Sequence, residues 1–405
     1  MRPFGLFERF GLELEYMVVD PKHWMIRPIV DEVLSARAGM TVSDWRDGEV
    51  EWSNELVNHV VEIKVAQPVS SLEGIERVFH ERILAMRPSL EKLGATLLPG
   101  AMHPFMDPTC ETSIWPHESR EIYELYDRIF NCQRHGWANV QSAHLNISFQ
   151  TDEEFARLHA AVRVLLPLLP ALYAASPIAD GHTTGFADTR LDYYRTNQER
   201  LPPLGGDIIP ERVWSEAEYE QEIFEPINKA IAPLDPEHVL SKYFLNSRGA
   251  IARFDRGSIE IRLNDTQECP RADAAFARLV ISVLKALVRE DWSSRDTQAG
   301  WETNELKALL LATIQDARHA KIMDGRFAEL FGLPHRKMKA GAIWKHLIET
   351  VGTADDADVY ETYLEHGTLS ERMLGEVSKT PSRDELKTLC QKLNACLFEN
   401  RMLIP

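Results

Sequence analysis

Cysteine is scarce in this sequence of 405 residues: Cys110, Cys132, Cys269, Cys390 and Cys396 are scattered and never fall into CxxC spacing. That argues against a zinc site and for free thiols in a reducing compartment rather than a disulfide framework. Long apolar runs are missing as well. The longest, VLLPLLPALYAA, is interrupted by Pro167 and Pro170 and is too short to cross a bilayer. No pattern of charged, apolar and small residues marks a secretory leader, so the expected location is cytoplasmic. Positive charge is in deficit: 45 Lys and Arg stand against 62 Asp and Glu, a net charge of -17 at pH 7. Nucleic acid and anionic membrane are therefore poor bulk partners, and small molecules are the expected ones. Internal repeats and low-complexity segments are also absent.

What is present is the composition of an ordinary globular protein, 44% hydrophobic and 26% charged. The length suits two or so domains, or one large catalytic domain with an appended helical part. Alternating segments predict strands at about 11–19, 59–65, 95–98, 142–149, 250–254 and 258–263. Helices are expected over 69–94, which opens on a Ser cap and stops at Gly94, over about 118–134, and over 152–176 after the cap TDEE. Residues 177–212 are rich in Gly, Pro and Asp, and a loop of that length is usually a lid or a binding loop. Beyond about 290 the pattern is helical and amphipathic. The predicted organisation is α+β: residues 1–290 form a catalytic domain built on a largely antiparallel sheet, and 291–405 a mainly helical region packed on it. Those last helices are candidates for a homodimer contact or for closing a cleft.

Four strands carry an unusual polar face. FGLELEYMVVD puts Glu13 and Glu15 on one side and Leu12, Leu14 and Tyr16 on the other. VVEIKV does the same with Glu62 and Lys64, AHLNISF with His144 and Asn146, and SIEIRL with Glu260 and Arg262. A wet face on an antiparallel sheet explains any one of these. All four together supply oxygen and imidazole ligands for hard divalent cations, with two cations suited to phosphate. Gathered on one sheet, such carboxylates raise one another's pKa or recruit counter-cations, of which Mg²⁺ or Mn²⁺ is the natural choice in the absence of sulfur ligands. Glu55, in NELVNHVVE, could reach the cluster from a preceding helical turn.

The set resembles a glutamate-cysteine ligase of the second family, also called carboxylate-amine ligases, in the glutamine synthetase-like superfamily. Matching elements are FGLELEYMVVD, NELVNHVVEIKVAQP, GAMHPF, SAHLNISF and RFDRGSIEIRLNDTQECP, in the family's order over roughly residues 10–275. The resemblance implies a curved sheet with helices on its convex face, the active site on its concave face and ATP entering at one end. It implies metal ligation by Glu13, Glu15, Glu55, Glu62, His144 and Glu260, with Glu13, His144 and Glu260 holding one ion and the other three further ions. Arg262 would face the phosphates, helped by Lys64, and Asn146 would contact the nucleotide. Arg190 with Tyr194, and Arg195, in GFADTRLDYYRTNQER, are the candidates for gripping a substrate carboxylate.

The chemistry implied is ATP-driven amide formation. The γ-phosphoryl passes to a carboxylate, that of glutamate or a related acid, and an amine then displaces phosphate. A guanidino phosphotransferase, which would stop after phosphoryl transfer, a metal-dependent hydrolase, which would need no nucleotide, and a non-catalytic binding protein on the same fold are the alternatives. His103 takes no assigned role, and His135, Trp137 and the cysteines read as packing or surface residues.

Overall fold

The structure, a computed structural model, describes residues 2–405. Its frame is an eight-stranded antiparallel sheet. The strands are β1 (Phe10–Val19), β2 (Asp44–Asp47), β3 (Val50–Asn54), β4 (Val60–Val65), β5 (Thr96–Leu98), β6 (Ser142–Ser148), β9 (Ala250–Arg253) and β10 (Ser258–Asp265); a separate two-stranded ladder joins β7 (Ile178–Ala179) to β8 (His182–Thr183). The main order is β2-β3-β4-β1-β6-β10-β9, with β5 on the far end of β1. Strands distant in sequence thus become neighbours at the centre. Glu15 lies opposite Glu62 and Glu13 opposite Lys64 across β1 and β4; on the other side Glu13 lies opposite His144, and Glu260 opposite Asn146.

Period-two alternation does the rest. Leu14, Ile63, Leu145 and Ile261 point away from the polar face and are fully buried or nearly so, each contributing about 1.5–3 kcal/mol through loss of apolar surface from water. Their cover is the layer formed by the Ile75–Lys92, Asp152–Leu165 and Pro270–Val288 helices. The 152–165 helix starts where the TDEE cap predicts, with the Thr151 hydroxyl accepting from Glu154 N at 3.2 Å. It ends at Leu165 rather than at the expected 176, because Pro167 removes a backbone donor. The expected helix around 118–134 is shorter, Arg120–Phe130.

The helix expected over 69–94 runs Ile75–Lys92 and follows Gly74 with no side-chain cap, and two further elements depart from the sequence reading. β2 and β3 form a hairpin whose alternating residues are mostly charged, so hydrophobic patterning misses it; the signal was the Asp47-Gly48 pair, where Gly48 takes φ +71°. The expected loop at 177–212 contains the short Thr189–Tyr194 helix, capped by the Asp188 carboxylate accepting from Leu191 N at 2.9 Å. The helices after residue 290 share the core of the sheet: Trp344 and Leu347 belong to the same buried cluster as Leu14 and Ile63.

Candidate active site

Glu13, Glu15, Glu62, Lys64, His144, Asn146, Glu260 and Arg262 converge on the polar face because the register aligns them. Glu55 joins them differently from the sequence reading: it directly follows the end of β3, two residues on from Ser53, which lies opposite Glu62. No helical turn carries it.

The carboxylates are held by specific donors. Glu15 is 6% exposed and accepts from the Ser142 backbone N–H at 2.7 Å and from its hydroxyl at 3.1 Å. Glu62 accepts from the Ser53 hydroxyl at 2.8 Å and from Lys64 Nζ at 2.7 Å. Glu13 accepts from Asn146 Nδ2 at 3.1 Å and sits 3.2 Å from His144 Nδ1. Glu260 pairs with Arg262 Nε at 3.1 Å and lies 3.7 Å from an Arg253 terminal nitrogen.

Electrostatics separates these groups. Burial, reinforced by Glu260, raises the pKa of Glu13; burial, then Glu15 and Glu62, raises that of Glu55 far above the usual range. Glu15 and Glu62 are raised as well, chiefly by burial. Glu260 goes the other way: burial opposes ionisation, but Arg262, His144, Arg253 and Arg256 together outweigh it and lower its pKa. Burial and the nearby Arg262 lower that of His144, which keeps the imidazole neutral and able to ligate.

Does this set fit a divalent cation? One ligand atom each from Glu13, Glu62 and His144 lie within 4.8 Å of one another, a spacing that one ion with bonds of about 2.0–2.6 Å can span. Two buried carboxylates, Glu15 and Glu62, and two half-buried ones, Glu13 and Glu55, whose charge is resisted by their surroundings are the donor chemistry such an ion neutralises. The trio differs from the grouping of Glu13, His144 and Glu260 read from sequence: Glu260 Oε1 is 3.9 Å from His144 Nδ1 and is turned toward two arginines.

Two cavities meet over this cluster. One, of about 620 Å³, is polar, with Arg9, Glu51, Ser53, Lys64 and Asn146 in its walls. The other, of about 470 Å³, is lined by Glu15, Ser142, Arg190, Tyr194 and several aromatic and aliphatic side chains. Glu55, His144, Arg253, Arg256, Glu260 and Arg262 face both. The arrangement is one cleft divided by an acidic and cationic ridge.

Residues 9–390 match the family described as Glutamate-cysteine ligase family 2 (GCS2). The chain belongs to this family. An uncharacterized protein of Archaeoglobus fulgidus is 33% identical over 97% of this chain and 100% of its own length. A putative glutamate--cysteine ligase 2-3 of Rubrobacter xylanophilus is 26% identical over 78% of this chain and 82% of its own. Among solved structures, the glutamate--cysteine ligase of Francisella tularensis in complex with AMP superposes with a TM-score of 0.60 at 12% identity, over 98% of this chain and 90% of that one. At that identity the likeness concerns the fold.

Within this glutamate-cysteine ligase family member, Arg190 is 2% exposed. Its Nε donates to Asp265 and one terminal nitrogen to the Leu263 carbonyl at 2.7 Å, while the second terminal nitrogen makes no hydrogen bond among the described residues. Tyr194 lines the same cavity, its hydroxyl without a partner. Arg195 does not join them. It forks onto Asp192 one turn back, at 2.9 and 2.7 Å, is 39% exposed and lies outside both cavity walls. The sequence reading also missed Arg253, the last residue of β9, and Arg256, in the turn from β9 to β10. Arg253 lies opposite Ser258, in phase with Glu260, so strand parity could have found it. Trp137, read as packing, lines the smaller cavity.

Proposed function

We propose that the protein is an ATP- and divalent-cation-dependent carboxylate-amine ligase that phosphorylates the side-chain carboxylate of glutamate or a related acid and joins it to an amine. The observation that carries this reading is the cluster of Glu13, Glu62 and His144 on the ridge between a cationic cavity and an aromatic one. Family membership supports it, and the AMP complex of the Francisella ligase, which has this fold, supports a nucleotide at the cleft.

Glu13, Glu62 and His144 would hold the first cation, with Glu15 and Glu55 available to a second. Mg²⁺ or Mn²⁺ bound there supplies charge neutralisation of the nucleotide phosphates. The chain's own groups do the remaining work. Lys64, Arg253, Arg256 and Arg262 offset negative charge along the path from the polar cavity across the ridge, and Asn146 borders the nucleotide. Arg190, held by Asp265, offers its open nitrogen to a substrate carboxylate, with Tyr194 beside it. The γ-phosphoryl moves to the substrate carboxylate, giving ADP and an acyl phosphate; the amine attacks the acyl carbon, the bond from that carbon to the phosphate oxygen breaks, and phosphate departs with the electron pair.

The test is to incubate the purified protein with ATP, Mg²⁺, glutamate and a panel of amines, following ADP and product mass. Amide formed with equimolar ADP is the expected outcome. ADP without amide would place the protein with the guanidino phosphotransferases, and turnover without nucleotide would make it a hydrolase.

A further inference from the structure

We propose that the amine acceptor is one without a carboxylate and with an aromatic or apolar body, such as an arylalkylamine, rather than an amino acid. The inference rests on the ligase reading and concerns the aromatic cavity alone. Its outer wall is a chain of rings: Phe244 meets Tyr126 edge-on at 4.9 Å between centroids, and Tyr126 meets Trp137 edge-on at 5.0 Å. Tyr243, Val60 and Ile251 complete an apolar surface. Phe244 is 39% exposed, a large side chain left in solvent at the end of this ring chain. Rings so placed bury an apolar body and attract an ammonium head through their faces.

Charge decides between amine classes. An amino-acid acceptor brings a carboxylate, which needs a cation of its own once the donor acid's second carboxylate has been gripped. Among the described residues, Arg190 is the one cationic side chain of this cavity that does not also face the phosphate end. Arg253 is committed to Asp255 at 2.9 Å, and Arg262 to Glu260. Arg256 sits where the nucleotide phosphates would claim it. The acidic groups that line this cavity alone free no cation either: Asp255 holds Arg253, and Glu15 accepts from Ser142 and is available to the metal. A second carboxylate would therefore enter without a free cation to pair with, whereas an amine with an apolar body needs none there. In the transfer step the amine reacts as its free base, having first given one proton to solvent; its nitrogen attacks the acyl phosphate carbon, phosphate leaves with the electron pair, and the nitrogen's second proton passes to the departing phosphate.

Hydroxylamine separates this inference from the reading beneath it, because it traps an acyl phosphate without needing an acceptor pocket. With ATP, Mg²⁺ and glutamate, hydroxamate should form, and 2-phenylethylamine should give amide with a kcat/KM at least tenfold above cysteine, glycine or alanine. Phe244→Ser should lower kcat/KM for 2-phenylethylamine at least tenfold more than for hydroxylamine. Hydroxamate formation with cysteine or another amino acid preferred would overturn the acceptor assignment and leave the ligase reading standing. Absence of hydroxamate would overturn both.

Discussion

Glu15 stands in the cleft with a donor from Ser142 on one side and three other carboxylates nearby, and its burial makes the charged form costly. Two opposite consequences follow from replacing it with a neutral residue of the same shape. Glu15→Gln should lower turnover by more than about 100-fold, because a group that holds a cation cannot be exchanged for an amide without losing the ion's position. The same variant should melt at a higher temperature than the parent in EDTA, because it removes one buried charge from a set that repels itself. Calorimetry with and without chelator measures both states of the argument, and a variant that melts lower in EDTA would show that Glu15 is not under electrostatic load. Glu62 belongs to the tightest trio of ligand atoms. Mg²⁺ should stabilise the parent by about 3 kcal/mol at a hundredfold excess over its Kd, and Glu62→Gln should lose most of that shift in a thermal titration.

The strands decide which residues meet, and their turns decide how the arginines reach the ridge. Between β9 and β10 the chain reverses through Gly257 at φ +70°, where an added Cβ would stand 3.0 Å from the Phe149 carbonyl oxygen. Gly257→Ala should cost about 1–2 kcal/mol through left-handed backbone strain. It should also raise KM for ATP more than KM for glutamate, because the turn carries Arg253 and Arg256; steady-state kinetics separates the two. At the other end of β10 the buried Glu268 pairs with Arg372 of the Leu369–Gly375 helix and accepts from Leu403 N at 2.9 Å. Arg372→Ala leaves that carboxylate buried without its cation and should cost about 3–5 kcal/mol by denaturant titration.

Across the whole molecule, acid sensitivity should come from buried neutral histidines. Burial depresses His59 to about 4, His103 to about 3 and His159 to about 3, from 6.5. Each is neutral in the fold and charged in the unfolded chain below pH 6.5. Its stability contribution is therefore fully present above that pH and is lost as pH falls toward its folded value, by roughly 1.4 kcal/mol per pH unit. His59 Nε2 donates to the Ala138 carbonyl at 2.7 Å. His59→Gln can keep that contact and should flatten the loss between pH 6.5 and 4.5 by about one proton's worth, on the order of 2–3 kcal/mol, in unfolding free energies measured across that range. An unchanged slope would mean that His59 is already charged in the fold. Helices from beyond residue 290 share the sheet's core, so such losses should appear in one cooperative transition.

Alternation within single strands was enough to put Glu13, Glu15, Glu62, His144 and Glu260 on one face, because the side-chain period of a strand is two wherever its opposite face is buried. The sequence alone also determined the Thr151 cap and the free state of the cysteines, but not the end of that helix, which was expected at 176 and comes at Leu165. It could not decide registry between strands more than a hundred residues apart. Only the folded sheet paired Glu62 with Glu13 and His144 while turning Glu260 toward Arg262 and Arg253. Nor could it tell Arg190 from Arg195, five residues later in the same segment: the first is buried against Asp265, the second forks onto Asp192 at the surface. That choice belongs to the partner each guanidinium finds in three dimensions, and a partner 75 residues away leaves no local trace in the chain.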